Sequence, residues 1–258
     1  AHYASCAAVG DLERPCGRWL GAGQFGYLSA DGDPSVEETP QGARKILIRN
    51  KELEQSHVCL GVGSYAQNHD DRYASYVLNT LLGGSMSSRL FQNVREKRGL
   101  AYAVFSGLSA YRDAGSFTIY AGCSNEAVGE VIDLCVEELR AVKSAPVPDA
   151  ELQRSKDHLK GSLMLSLENT ASRMSHLARQ EIYFDRQFTL DETLAGVERV
   201  TADDVTRVAA DLFSNGSLAA PVVGPSPGDL ARAQPAPRCA LVPRSPPPPR
   251  RASRSRPP

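Results

Sequence analysis

Two stretches of alternating apolar character, "AYAVFSGLSAY" and "GSFTIYAGC", meet at Arg112, Asp113, Ala114 and Gly115. An aspartate that bonds its own backbone and a glycine free of a side chain are the residues a tight reversal needs. In the second stretch Phe117, Ile119 and Ala121 alternate with Ser116, Thr118 and Tyr120, the period of a half-buried strand. A hairpin here commits the middle of the chain to an antiparallel sheet, and the flanking sequence must then cover one of its faces.

Upstream, "RKILIRN" and "QSHVCLGVGS" read as two further strands joined by the charged "KELE". Tyr73, Tyr76, Val77 and Leu81 follow helical spacing, with Asp70 or Asp71 as the cap and Gly83-Gly84 as the stop. A short second helix over 87–98 is expected to bury Leu90, Phe91 and Val94, with Gly99 supplying its left-handed last residue. Downstream, helices dominate. Asn125 opens one whose stripe is Val128, Val131, Ile132, Cys135, Leu139 and Val142. Asp149 caps a run carrying Leu152, Leu159, Leu163 and Leu167, and Met174, Leu177, Ala178 and Ile182 mark another. Thr189 starts a short helix, and Thr201 with Asp204 resembles a capping box before Val205, Val208, Ala209 and Leu212. "SLAAPVVG" is a closing strand that Pro221 restricts to a sheet edge. Strands first and helices afterwards predict an α+β fold, an antiparallel-rich sheet with helices packed on one face.

Three regions follow: a poorly patterned segment with a polar linker at 1–43, the α+β domain at 44–224, and a tail at 225–258. The tail holds eleven prolines and seven arginines against Asp229 alone, too polar and proline-rich for a core and expected to be disordered. With a total charge of −1, residues 1–224 then carry about −7. An acidic body does not suit nucleic acid. Hydrophobic residues make up 41% of the chain, enough for a core, yet no run has the length of a membrane span. The six cysteines lie far apart without a C-x-x-C pair, which speaks against a zinc ribbon or a disulfide framework. Buried free thiols suit the cytoplasm or an organelle matrix better than secretion.

Among motifs that could carry chemistry, Gly83-Gly84-Ser85-Met86-Ser87 lacks the final glycine of a nucleophile elbow and follows a helix rather than a strand. It is a helix stop. Gly61-Val62-Gly63-Ser64-Tyr65-Ala66 fits a loose dinucleotide pattern, but no helix follows at once and no acid lies about twenty residues on. The histidines at 2, 57, 69, 158 and 176 form no H-x-x-H, H-E-x-x-H or H-x-x-E-H. Arg95 and Tyr102 remain, at a helix end and the start of the next strand. One reading makes Arg95 a cation against a helix dipole and Tyr102 a core residue. The other makes the guanidinium a fork for peptide carbonyls and the phenol a donor to an oxyanion.

The stretch "YVLNTLLGGSMSSRLFQNVREKRGLAYAVFSGLSAYRDAGSFTIYAGC" resembles the second, non-zinc half of the pitrilysin/insulinase-type zinc peptidases, the inverzincins, most of all their processing-peptidase branch. The likeness runs from about Arg44 to Phe213, and the R-x-x-x-x-x-x-Y of "REKRGLAY" is its most specific part. It implies one half of a two-half peptidase chamber. In that family the first half supplies H-x-x-E-H and a further glutamate that hold zinc and activate water, and the second supplies an arginine and a tyrosine that grip the substrate backbone. Arg95 and Tyr102 match that pair. The resemblance therefore implies a peptide or protein substrate, zinc in the intact enzyme, and a zinc-bearing homologous half in the same chain or a separate subunit. "SCAAVGDLER" at 5–14 resembles the last strand of the first half, so this chain is expected to be a fragment, inactive alone. The alternative is a non-catalytic partner or structural subunit of a processing-peptidase-like complex.

Overall fold

A computed structural model of the chain describes residues 45–214 and 218–225. The expected strand at 5–14, the linker before Arg44 and nearly all of the proline-arginine tail lie outside the described residues. Among the described residues five strands form one sheet in the order β1-β5-β2-β4-β3: β1 is Ile46–Asn50, β2 Ser56–Ser64, β3 Ala101–Ala110, β4 Gly115–Cys123 and β5 Ala220–Gly224. The hairpin turns as expected between β3 and β4, where the Tyr111 N–H donates to the Ala114 carbonyl at 2.8 Å. β2 pairs antiparallel with β4 from Ser56↔Cys123 to Ser64↔Gly115, and β1 and β5 run parallel.

The helices are α1 (Arg72–Leu82), a π-helical turn (Phe91–Glu96), α2 (Val128–Ser144), α3 (Asp149–Ser166), α4 (Thr170–Phe184), α5 (Leu190–Glu198) and α6 (Ala202–Ser214). α1, α2 and α6 pack directly on the sheet, and α3 and α5 lie against α1. One core joins Val58, Leu60 and Val62 of β2 and Phe117 and Ile119 of β4 to Val77, Leu81, Val131, Leu139, Val208 and Phe213 of the helices. The alternate strand residues, His57, Cys59, Thr118, Tyr120 and Phe105, lie outside that core. Among the described residues one face is covered by helices and the other by none, the two faces being built from alternate residues of each strand.

Several local expectations need correction. β5 is an interior strand, between β1 and β2, despite Pro221. The sheet accommodates the missing N–H by skipping it. Gly61 and Ala219 exchange two 2.8 Å bonds, regular pairing resumes at Val58↔Val222, and Pro221 falls in the gap. Asp71 stands at the start of α1 but its side chain makes no cap bond, because both carboxylate oxygens accept from Arg207 of α6 at 2.7 and 2.8 Å. Asp149 is the first residue of α3, after Pro148, and also makes no cap. Its charge acts on the helix dipole instead. α2 begins at Val128 rather than Asn125, whose side-chain oxygen accepts from Ser56. The box at Thr201/Asp204 forms as expected; Thr189 starts its helix as expected, and there Glu192 closes a second box that the sequence reading did not name.

α4 also differs. It is a helix, yet Met174 and Ile182 of its apolar set are 41% and 48% exposed, and among its residues only Gln180 is buried. The spacing specified the element and not what it packs on.

Candidate functional site

Gly83 ends α1 because the helix abuts β3 there. A side chain on Gly83 would run into the Ser106 backbone nitrogen and approach its hydroxyl to 2.7 Å, while the Gly83 carbonyl accepts from that same N–H at 3.1 Å. The serine turn that follows closes on itself: Ser85 and Ser87 hydroxyls lie 3.2 Å apart and Ser88 donates to the Ser85 carbonyl. Among the described residues neither Ser85 nor Ser87 bonds a histidine or a carboxylate, so nothing there activates a nucleophile. The dinucleotide-like glycines sit inside β2, which runs on to Ser64 without opening a helix.

From the turn the chain enters the segment expected as an ordinary short helix. It is instead π-helical over Phe91–Glu96, with the Lys97 N–H reaching back five residues to Gln92 at 3.0 Å. Leu90 and Val94 are fully buried, as expected, but Phe91 is only partly so. The widened turn rotates Phe91 outward, beside Arg95. Such turns are frequent where a fold displays a functional side chain. Gly99 closes the segment at φ +63°, its N–H bonded to the Arg95 carbonyl at 3.0 Å. That is the left-handed cap, and it turns the chain sharply into β3.

β3 then opens on an irregularity. Ala101 pairs with Cys123 but Ala103 pairs with Gly122, the register shift of a β-bulge. Ala101 and Val104 are both buried at 5% exposure, so the two residues between them, Tyr102 and Ala103, share the outward, helix-free side. Without the extra residue the alternation would have turned Tyr102 inward. It is 80% exposed. The core reading of Tyr102 is thereby excluded.

The π turn and the bulge bring the two candidate residues together. The Arg95 guanidinium carbon lies 4.9 Å from the Phe91 ring centre and 5.7 Å from that of Tyr102, within range of cation–π attraction to both. Glu96 comes within 3.9 Å of Arg95, and the arginine side chain is 42% exposed. Arg89, six residues earlier, is the contrast. Glu151 of α3 grips it bidentately at 2.7 and 2.8 Å, with both side chains 19% exposed. One arginine is consumed by the fold; the other is propped between rings with donors facing solvent. Phe91 is the participant that the sequence did not flag. Its four-residue spacing from Arg95 was the available signal.

On the bare face of β3, β4 and β2, Phe105 lies 5.0 Å from Tyr120, whose hydroxyl meets His57 Nδ1 at 2.7 Å. Glycines 61, 63, 107 and 122 leave the surroundings low. The result is a shallow surface continuous with the strand that carries Tyr102.

A zinc ion requires three or four His, Cys, Asp or Glu donors at one point. Among the described residues no three come together. His158 and His176 stand on different helices, α3 and α4. His69 stacks on Tyr65 at 4.0 Å and its Nδ1 accepts from the Asp71 N–H. Of the cysteines, burial holds Cys123 at about 11 and Cys135, with some help from Glu138, at about 12, protonated and unsuited to metal or nucleophilic work. These residues do not fit zinc.

Comparison with known proteins agrees with this division. Residues 17–159 match the family model described as the peptidase M16 inactive domain. The chain is 41% identical over 202 residues to an uncharacterised zinc protease of Bacillus subtilis, covering 78% of this chain and 49% of that protein. To one of Streptomyces coelicolor it is 42% identical over 175 residues, covering 68% and 38%. It thus spans about half the length of such relatives or less. The fold is shared with a crystal structure of a peptidase M16 inactive domain from Pseudomonas fluorescens, at a TM-score of 0.72 and 24% identity over 84% of this chain and 52% of that one. The helix-covered sheet, the matched residues and these relatives lead to one assignment: the chain belongs to the peptidase M16 inactive domain family, of the pitrilysin/insulinase type.

Proposed function

We propose that this chain is the substrate-gripping half of a processing-peptidase-like zinc endopeptidase, with metal and general base supplied by a homologous half. The supporting observation is the corner where a π turn, a left-handed glycine and a β-bulge set Arg95 and Tyr102 on the sheet's bare side. Each device departs from regular structure, and together they point two polar side chains at the same space. Arg95 donates to carbonyls of an extended peptide and fixes its register. Tyr102 donates a hydrogen bond from its hydroxyl to the scissile carbonyl oxygen as negative charge develops there, keeping its own proton. Residues 1–43 fit the end of the preceding half plus a linker, and 225–258 fit an extension outside the peptidase fold. The chain alone lacks a zinc ligand set among its described residues, so by itself it binds peptide without cutting it.

The test joins the chain to a zinc-bearing half of the family and compares wild type with Tyr102→Phe. The expected outcome is a kcat lower by roughly 10²-fold, the scale of one lost oxyanion donor, with KM nearly unchanged. An unchanged kcat removes Tyr102 from the reaction. The second reading, a non-catalytic or structural subunit, predicts that the joined protein binds peptide through Arg95 yet shows no turnover at all. The absence of a zinc ligand set among the described residues favours it only for the isolated chain.

A further inference from the structure

On the helix-covered side of the molecule, α1, α3, α4 and α5 line a cavity of about 330 Å³ that is open to solvent on one side, at the lower end of the size range of small-ligand pockets. Its walls include Tyr73, Tyr76, Leu159, Leu163, Phe184 and Phe188, and Arg72, Arg179 and His176 also line it. We propose that this cavity binds a small carboxylate with a flat apolar body, an aromatic acid being the closest fit.

Charge decides the sign of the ligand. Arg72 lies 4.5 Å from the Tyr73 ring centre, 5.0 Å from that of Phe184 and 5.4 Å from that of Phe188. Its terminal nitrogens donate to the His69 carbonyl at 3.3 Å and to the Tyr73 hydroxyl at 3.4 Å. A guanidinium has five N–H donors, so these neutral contacts leave donors over. Among the described residues no carboxylate forms an ion pair with Arg72 or Arg179, whereas Arg89, Arg186 and Arg207 all have one. Two unmatched cations at one largely apolar cavity favour an anion over a neutral or cationic guest.

His176 adds no charge. Gln180 accepts the Phe188 N–H on its side-chain oxygen at 2.7 Å, which leaves its amide NH₂ to donate to His176 Nε2 at 2.6 Å. The imidazole is therefore neutral, with its proton on Nδ1, and burial followed by the nearby Arg179 lowers its pKa. Gln180, 5% exposed, ties α4 to the loop before α5 and fixes that wall of the cavity. The shape of the guest follows from the rings. Phe184 and Phe188 stand edge to face at 5.0 Å and 90°, and a planar aromatic body can add a further edge-to-face or offset contact to such a pair.

The experiment uses the full 258-residue chain and needs no catalysis, so its result is independent of the peptidase reading. Indole-3-carboxylate, benzoate and the neutral benzamide are titrated calorimetrically, while NMR follows the His176 ring signals. Saturable binding of the acids, displacement of the His176 signals and little binding of benzamide are expected. Arg179 is exposed on a helix, so Arg179→Ala keeps the fold and weakens acid binding by roughly tenfold, the scale of a lost hydrogen bond to a charged group. Leu163→Trp fills the cavity without touching its charge and abolishes binding. Equal binding of acid and amide, insensitivity to Arg179→Ala, survival of binding in Leu163→Trp, or no saturation at millimolar acid would each overturn the proposal.

Discussion

The two faces of the sheet are built from alternate residues of the same strands, and they serve different ends. On the covered face Val58, Leu60, Phe117 and Ile119 are at most 2% exposed and meet helix side chains from α1, α2 and α6. On the bare face their immediate neighbours His57, Cys59, Thr118 and Tyr120 meet no helix among the described residues, and Phe105 is 51% exposed. The difference teaches how a thin fold separates stability from chemistry. A substitution one residue along a strand moves from one function to the other. Tyr102 belongs to the chemical side only because an inserted residue shifts it there.

That contrast can be broken by stability measurements. The largest effect is expected at Phe117, 2% exposed and set edge to face with Phe213 at 5.4 Å. Phe117→Ala should lower the unfolding free energy by about 3–5 kcal/mol in urea titration; a loss below about 1 kcal/mol would mean the helices do not hold this face. Next comes Gly83→Ala, which forces α1 and β3 apart at Ser106. A cost of about 1–3 kcal/mol is expected, as for overpacked sites, and a neutral change would show that the contact yields.

A smaller effect tests the ties among the covering helices. Hydrogen bonding from Arg207 holds the Asp71 carboxyl below its usual range, as Thr201, first of all, does that of Asp204. A lowered folded pKa stabilises the native state above the unfolded value of about 3.9 and is lost as pH falls through the folded value. Melting temperature should therefore drop on acidification below about pH 4, and Arg207→Ala should flatten that acid limb. An unchanged pH profile would show the ties to be dispensable. The smallest effect is expected on the bare side. Arg95→Ala and Tyr102→Phe should each alter stability by less than about 0.5 kcal/mol, the ordinary range for surface changes. A larger loss in either would blur the division between the faces.

What the sequence revealed and what it hid divide along similar lines. The hairpin, the helix stripes of α2 and α6, the helix start at Thr189, the box at Thr201 and the left-handed Gly99 all rest on contacts within a few residues, and each was legible. The interior position of β5 was not, because it depends on β1 and β2, far off in sequence, skipping a proline. Asp71 looked like a cap because only its neighbours were visible; its true partner, Arg207, lies 136 residues away. At the site, Arg95 and Tyr102 could be named, but the reason they face one way could not. A π turn and a bulge are adjustments made when a segment must fit a neighbouring element, here Val94 and Leu90 into the core, and they leave no periodic trace.

The gap at Pro221 carries one more consequence. It divides the ladder between β5 and β2 into two short stitches, and beyond it β1 leaves Leu47 42% exposed. The outer pair of strands is thus hinged like a leaf along a perforated seam. Local opening begins where backbone bonds are few, so amide protons of β1, and of β5 along its broken seam with β2, should exchange with solvent ahead of those in the β2–β4–β3 block, an order that hydrogen exchange can read.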